Sequence, residues 1–215
     1  MQRLRILGLA LMAMFMLSAV ASTAASAVAL PDFSVETGAK GTSDKGQLGP
    51  FQCKSSSILM TPENKLQGLF HIHFENCTGP LNEKCESLGD KPGIILVLGK
   101  YHLVRAASEH VFLWLLLEEV HIECLGIIEV LVSVRGSALV LILPILTKTN
   151  KYELDVKQSK GDQEFLKYEN DEGKLVNAEP FLEAKIGGGA FELAGDESEN
   201  NKLTAAKETL IENTK

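Results

Sequence analysis

The stretch Leu69–Glu75 reads LFHIHFE and shows the pattern that decides the fold. Apolar residues at positions 70, 72 and 74 alternate with polar residues at positions 71, 73 and 75. This two-residue period is typical of a β-strand with one buried face and one solvated face. The same alternation occurs in Val120–Cys124 and in Tyr152–Lys157. At least three segments therefore predict half-buried strands.

Continuous apolar runs accompany these alternating segments: GIILVLG at 93–99, VFLWLLL at 111–117 and ALVLILPIL at 138–146. Runs of this length are typical of strands that are buried on both faces or lie in a sandwich core. Turn-forming residues separate the segments at roughly strand-length intervals. The sequence therefore predicts an all-β fold, an antiparallel sandwich or barrel of many short strands. Trp114, inside the second run, is predicted to be a core residue rather than a sugar-stacking platform.

The segment Cys124–Leu146 is apolar enough to resemble a membrane-spanning helix. Glu129 and Arg135 interrupt it, and each charge costs roughly 2.5 to 3.5 kcal/mol at the centre of a bilayer on insertion scales. We therefore predict two strands here, joined by a turn at residues 135–137. The C-terminal segment Lys202–Glu212 is predicted to be a closing strand that pairs with residues 190–194 across the acidic loop 195–201. A C-terminal helix is the alternative, because this segment contains helix-forming residues and no proline.

The first 29 residues contain the three parts of a secretory signal: the basic start MQRLR, an apolar run and small residues that end at Ala29. We predict a signal peptide at residues 1–29, an extended entry arm at residues 30–50 and a single β-rich domain at residues 51–215. The apolar run is shorter than the roughly 20 residues that a spanning helix needs. We therefore expect a secreted, extracellular protein with no stable membrane span after cleavage.

The chain is acidic, with 21 Lys and Arg residues against 28 Asp and Glu residues among its 215. Removing the leader takes away Arg3 and Arg5 and no acidic residue, which leaves 19 basic against 28 acidic residues and a formal charge of −9. Nucleic acid is therefore not an expected partner.

All four cysteines follow the predicted leader, and an even number of cysteines in an exported protein indicates two disulfides. Three pairings are possible. Turn-forming residues at 78–84 favour Cys77 with Cys85, which leaves Cys53 with Cys124. Either way the disulfides brace the predicted β fold.

The sharpest candidate for chemistry is a metal site on strand faces. His71, His73 and Glu75 share the polar face of one predicted strand, and His121 and Glu123 share that of another. If the two strands were neighbours, these side chains could supply the ligands of zinc or non-haem iron. The alternative is that all five are polar residues on solvent-exposed faces.

Other catalytic patterns do not occur in the sequence. It has no G-x-S-x-G motif of the kind that exposes a nucleophilic serine. The glycine-rich stretch at 38–46 does not end in the G-K-[ST] of a phosphate-binding loop. If all four cysteines are bridged, none remains as a thiolate nucleophile. We therefore expect no cofactor.

Several stretches resemble a group of uncharacterised secreted proteins from soil actinobacteria. They are LPDFSVETGAKGTS, HFENCTGPLNEKCESLGDKPGIIL, IECLGIIEVLVSVRGSALVLILPI, QSKGDQ and GGGAFELAG. The shared positions are Cys77, Cys85, Gly93 with the following isoleucine, Cys124 and the VSVRGS-type segment at 132–137. The resemblance implies export and a β-rich fold, and it implies no catalytic residue.

Two functions are consistent with these features. The favoured one is a non-catalytic extracellular or cell-envelope module, whose partner is an envelope component, a glycan or a protein. The alternative is a metal-dependent secreted enzyme that uses the His-x-His-x-Glu strand face.

Overall fold

The computed structural model describes residues 39–43, 45–48, 50–105, 110–126, 129–159, 162–163, 167–170, 174–179 and 181–211. The predicted signal peptide at residues 1–29 and residues 30–38 of the predicted arm lie outside the described residues. The described strands are β1 (Ala39–Ser43), β2 (Lys45–Leu48), β3 (Phe51–Cys53), β4 (Ser55–Pro62), β5 (Gln67–Glu75), β6 (Lys84–Ser87), β7 (Ile94–Arg105), β8 (Val111–Leu125), β9 (Val130–Leu143), β10 (Thr149–Ser159), β11 (Asp162–Gln163), β12 (Lys167–Glu169), β13 (Leu175–Asn177), β14 (Glu183–Ile186), β15 (Glu192–Leu193) and β16 (Asp196–Thr209).

These strands form one large sheet, in which the main order is β11-β10-β16-β1-β4-β5-β7-β8-β9-β14-β15. β10 also pairs with β9, through Glu153–Asp155 and Leu141–Leu143. All strand pairs are antiparallel, so the prediction of an all-β antiparallel fold is confirmed. The strands are longer than predicted in the middle of the sheet, where β8 has 15 residues and β9 has 14.

The inner face of this sheet encloses the main hydrophobic core. Phe70 of β5, Leu113 of β8, Val134 of β9, Tyr152 of β10 and Leu203 of β16 are buried in one cluster. Side chains from strands so far apart in the order can touch only if the sheet curls around them. We call the face toward this cluster the inner face and the opposite face the outer face.

A smaller cluster covers part of the outer face. Val104, Phe112, Leu139, Leu141 and Ala178 form it, with Trp114 and Tyr168 packed against it. The Trp114 and Tyr168 rings lie 5.0 Å apart. Trp114 Nε1 donates to Ser137 Oγ at 2.9 Å, and Ser137 Oγ donates to the Ala178 carbonyl at 2.9 Å. Trp114 therefore packs in a hydrophobic cluster, although this is the smaller one and the indole is only half-buried.

The four cysteines form the disulfides Cys53–Cys77 and Cys85–Cys124. The prediction that all four are bridged is confirmed, but the favoured pairing is wrong. Antiparallel bridges join Gln52 to Thr78 and Thr78 to Lys84, which places Cys77 opposite both Cys53 and Cys85. Cys85 in turn lies opposite Cys124.

The cysteines therefore form a row across neighbouring strands, in the order Cys53, Cys77, Cys85 and Cys124, which we call the cysteine row. The predicted turn at 78–84 does bring Cys77 beside Cys85, with a backbone hydrogen bond of 3.2 Å between them. A bridge there would leave Cys53 and Cys124 three strand spacings apart, about 14 Å. A disulfide spans at most about 7 Å between Cα atoms, so only the observed pairing bridges all four.

The predicted turn at residues 135–137 is wrong, because β9 runs through it without interruption. Arg135 lies on the outer face and is exposed there, where its guanidinium pairs with Glu183 at 3.1 Å. The charge therefore reaches solvent from within a strand and requires no turn. Within the described residues, no helix is long and apolar enough to cross a membrane.

The C-terminal segment is a strand, as predicted, so the helical alternative is wrong. It belongs to β16, which also includes residues 196–201 of the predicted acidic loop. The segment pairs with β10 and β1 rather than with residues 190–194, and β2 pairs with residues 196–199 of the same strand. The predicted entry arm is corrected as well. Its residues 39–43 and 45–48 are strands of the sheet, because β1 finds hydrogen-bonding partners on both sides, in β16 and β4.

Candidate functional site

The histidines of the predicted metal site lie on the outer face of β5. Because side chains alternate along a strand, Phe70 and Phe74 enter the core while His71, His73 and Glu75 point outward and are exposed. The sequence pattern placed these three residues correctly on one face. What the pattern could not give is the identity of their neighbours on adjacent strands.

Leucines and a serine, rather than further metal ligands, flank the two histidines. In one cross-strand row His71 lies between Leu59 of β4 and Leu98 of β7. In the next row His73 lies between Ser57 and Leu96. The imidazoles are therefore set among aliphatic side chains on the surface of the sheet.

His121 and Glu123 lie on β8, which β7 separates from β5. The condition for a combined site, that the two strands be neighbours, is therefore not met. Among the described residues, the three-donor group with all donor atoms within 4.8 Å is Glu83 with Cys85 and Cys124. Both of those sulfurs are in a disulfide and offer no thiolate. The structure does not bring the five predicted ligands together.

His121 and Glu123 have separate surroundings on β8. His121 is exposed, and its Nδ1 lies 3.0 Å from Ser133 Oγ on β9. Glu123 is directly opposite Glu86 of β6. Burial raises the pKa of Glu123, and the carboxylates of Glu129 and Glu86 raise it further. Glu123 therefore belongs to a cluster of carboxylates, with Glu86 and Glu129, rather than to a histidine site.

Sequence reasoning missed Glu86 and Glu129, although a signal for Glu86 is present. The chain reads Cys85-Glu86 on one strand and Glu123-Cys124 on the other, in reversed order. When antiparallel strands place Cys85 opposite Cys124, the adjacent glutamates must also be opposite each other. The correct disulfide pairing would thus have predicted the carboxylate pair.

The outer face of β4, β5 and β7 is an apolar surface that surrounds the predicted site residues His71 and His73. We call it the leucine–histidine face, and its members are Leu59, Leu69, His71, His73, Leu96 and Leu98. Leu59 is 42% exposed and Leu69 is 36% exposed. By contrast, the outer face at the β8–β9 side buries Phe112, Leu139 and Leu141 beneath the β12–β13 region. Described residues thus cover one part of the outer face, whereas Leu59, Leu69, His71 and His73 of the leucine–histidine face are exposed.

This arrangement suits binding better than bond-breaking chemistry. When a partner removes leucine side chains on a sheet surface from water, their burial favours binding by about 25 cal/mol per Å² of apolar area. The imidazoles between them can donate or accept hydrogen bonds at the same surface.

No protein-family model, no curated protein and no solved structure matches this chain. The resemblance to secreted proteins of soil actinobacteria therefore stays a prediction.

Proposed function

We propose that the mature chain is a secreted, non-catalytic module that binds a protein of the cell envelope through its leucine–histidine face. The observation that carries this proposal is the exposure of Leu59 and Leu69 beside His71 on an otherwise regular sheet surface. Exposed apolar patches bordered by polar residues are typical of protein-binding surfaces.

The scaffold supports binding because it is held firmly before a partner arrives. β5 is hydrogen-bonded on both sides, to β4 through eight residue pairs and to β7 through nine. The inward residues of the same strand, Phe70 and Phe74, are packed in the core. A surface that is already ordered loses little conformational entropy on binding.

A protein is a better partner for this face than a glycan. Its apolar members are aliphatic, whereas sugar rings stack on aromatic side chains. Trp114, the single tryptophan of the chain, packs instead against Tyr168 and donates its Nε1 proton to Ser137. It is therefore committed to the smaller cluster.

The two disulfides support the proposed extracellular location. All four cysteines are bridged, which indicates an oxidising compartment. The predicted signal peptide and the resemblance point the same way.

The test measures binding of fluorescently labelled mature protein to isolated cell envelopes of the producing organism. We expect saturable binding that disappears when the envelopes are first treated with protease. The double variant Leu59→Lys/Leu69→Lys places two charges on the leucine–histidine face, and we expect it to bind at least about tenfold more weakly, since burying an unpaired charge is unfavourable.

The matched control is Leu81→Lys, because Leu81 is 86% exposed in the turn between Cys77 and Cys85, away from this face. It should bind like the wild type. Binding that survives protease but is lost after glycan digestion would show a glycan partner instead. Equal binding by the double variant and the wild type would reject the leucine–histidine face as the binding surface.

A further inference from the structure

Three glutamates converge where β6, β8 and β9 meet, on the outer face and away from the leucine–histidine face. Glu86 of β6 is directly opposite Glu123 of β8. Glu129 immediately precedes β9, which pairs with this end of β8 through Cys124 and Val130. Three negative charges are thus brought together by strand pairing.

Glu86 is the unusual member of this group, because it is only 9% exposed and its Oε2 has no hydrogen-bond partner. Buried polar atoms in native proteins nearly always have a partner, and a buried carboxylate oxygen without one is unfavourable. The side chain directly across from it is another carboxylate, so the strand pair adds repulsion rather than compensation. A cation at this place would supply the missing partner and neutralise the repulsion.

The side chains of Glu123 and Glu129 lie within hydrogen-bond reach of each other, and the charge of Glu86 also acts on Glu123. Lys84, the basic residue of β6, is exposed to solvent.

We propose that Glu86, Glu123 and Glu129 bind a hard divalent cation, with Ca²⁺ as the best match. Calcium accepts six to eight oxygen ligands in flexible geometry, and carboxylates with water complete such a shell. Within the described residues these three carboxylates do not all lie within 4.8 Å of one another. Glu123 and Glu129 already lie within side-chain hydrogen-bond reach of each other, so these two carboxylates and that of Glu86 must move closer together when the ion binds. Magnesium suits the site less, because it demands near-ideal octahedral geometry.

The experiment titrates CaCl₂ into chelator-treated mature protein by isothermal calorimetry and records the Tm with and without the ion. We expect a dissociation constant of about 10⁻⁴ to 10⁻³ M, the range of extracellular calcium modules, and a rise in Tm on addition of Ca²⁺. Glu86→Gln and Glu123→Gln should each weaken binding by at least about tenfold, since each removes one of three ligand charges.

The control variant is Glu75→Gln, an exposed glutamate on β5 that is outside the group. It should bind Ca²⁺ like the wild type. Since glutamine has the shape of glutamate, Glu86→Gln should fold, and without Ca²⁺ its Tm should equal or exceed that of the wild type because the buried charge is gone.

Three results would overturn the proposal: no heat and no Tm change with Ca²⁺, undiminished binding by Glu86→Gln, or a Tm of Glu86→Gln well below that of the calcium-free wild type. Magnesium binding as tight as that of calcium would reject Ca²⁺ as the preferred ion. The proposal is independent of envelope binding, because the two tests use different residues and different ligands.

Discussion

Gly136 is at a backbone position where no residue with a side chain fits. Its φ of 113° is rarely adopted by residues with a side chain, and a Cβ added there would overlap the carbonyl of Phe181. We expect Gly136→Ala to lower the free energy of unfolding by about 2 kcal/mol or more, in urea denaturation. Gly188→Ala is the control, because open space surrounds that position, and its effect should stay within about 0.5 kcal/mol. Equal effects of the two variants would contradict this account of Gly136.

For individual residues, the sequence predicts which side chains are exposed better than it predicts which side chains contact each other. The exposed positions of His71, His73 and Glu75 follow from alternation alone. The burial of Glu86 does not, because it depends on a four-residue strand pairing with a segment 37 residues further along the chain, at Glu123. To predict contacts between side chains that are distant in sequence, one must know the register in which their strands pair. The alternation within one strand does not determine that register.

At the scale of elements, a largely buried ion pair helps to hold the β12–β13 hairpin on the main sheet, in addition to the packing of Tyr168 against Trp114. β12 is bonded to the main sheet through Glu169 and Arg105 of β7, whose side chains pair at 2.7 Å and are 15% and 16% exposed. We expect Arg105→Met to leave a largely buried carboxylate and to lower the local opening free energy by about 1 to 3 kcal/mol. Hydrogen exchange should then accelerate in residues 167–169 and 175–177, while exchange in β5 stays unchanged.

The matched control for this prediction is Arg135→Met. Arg135 also pairs with a glutamate, Glu183, but both side chains are much more exposed. Exposed ion pairs contribute at most about 1 kcal/mol, so the exchange of the β12–β13 hairpin should not change. If both variants loosened the hairpin equally, its dependence on the buried pair would be refuted.

Element types were easier to predict than element ends. The alternating and apolar segments are strands, because hydrophobic periodicity is a local property. The predicted turn at residues 135–137 was wrong because an arginine and a glycine indicate a turn only when no neighbouring strand pairs with them. Here β14 pairs with Arg135, and the Phe181 backbone packs against Gly136. The arm residues of β1 likewise gained strand structure from partners that are distant in sequence.

At the scale of the whole molecule, stability should fall in alkaline solution. Burial raises the pKa of the core residue Tyr101 from its ordinary value of 10.0 to about 12, and the charge of Glu63 adds to this. Between these two values the unfolded chain releases a proton that the folded chain retains, so stability declines as the pH rises. Tyr152 is shifted in the same direction by burial.

The measurement is urea denaturation at a series of pH values above 9, for the wild type and for Tyr101→Phe. The variant should lose part of the alkaline decline, because position 101 no longer ionises in the unfolded chain. A decline of equal slope in both proteins would show that Tyr101 does not contribute to it.

The cysteine row has a consequence for how the chain oxidises in an oxidising compartment. The sequence separation of Cys77 and Cys85 is only eight residues, against 24 and 39 for the native bridges. Short loops close with the least loss of entropy, so the first bond to form in an unfolded chain should often be Cys77–Cys85. That bond leaves Cys53 and Cys124 unpaired at opposite ends of the row. The native pairing is then reached by thiol–disulfide exchange, in which the Cys53 thiolate attacks Cys77 and releases the Cys85 thiolate. A disulfide oxidant then takes up the two electrons that are released when Cys85 and Cys124 form their bond. A chain with two native bridges is thus reached through a temporary wrong one, and its yield should rise with a disulfide isomerase.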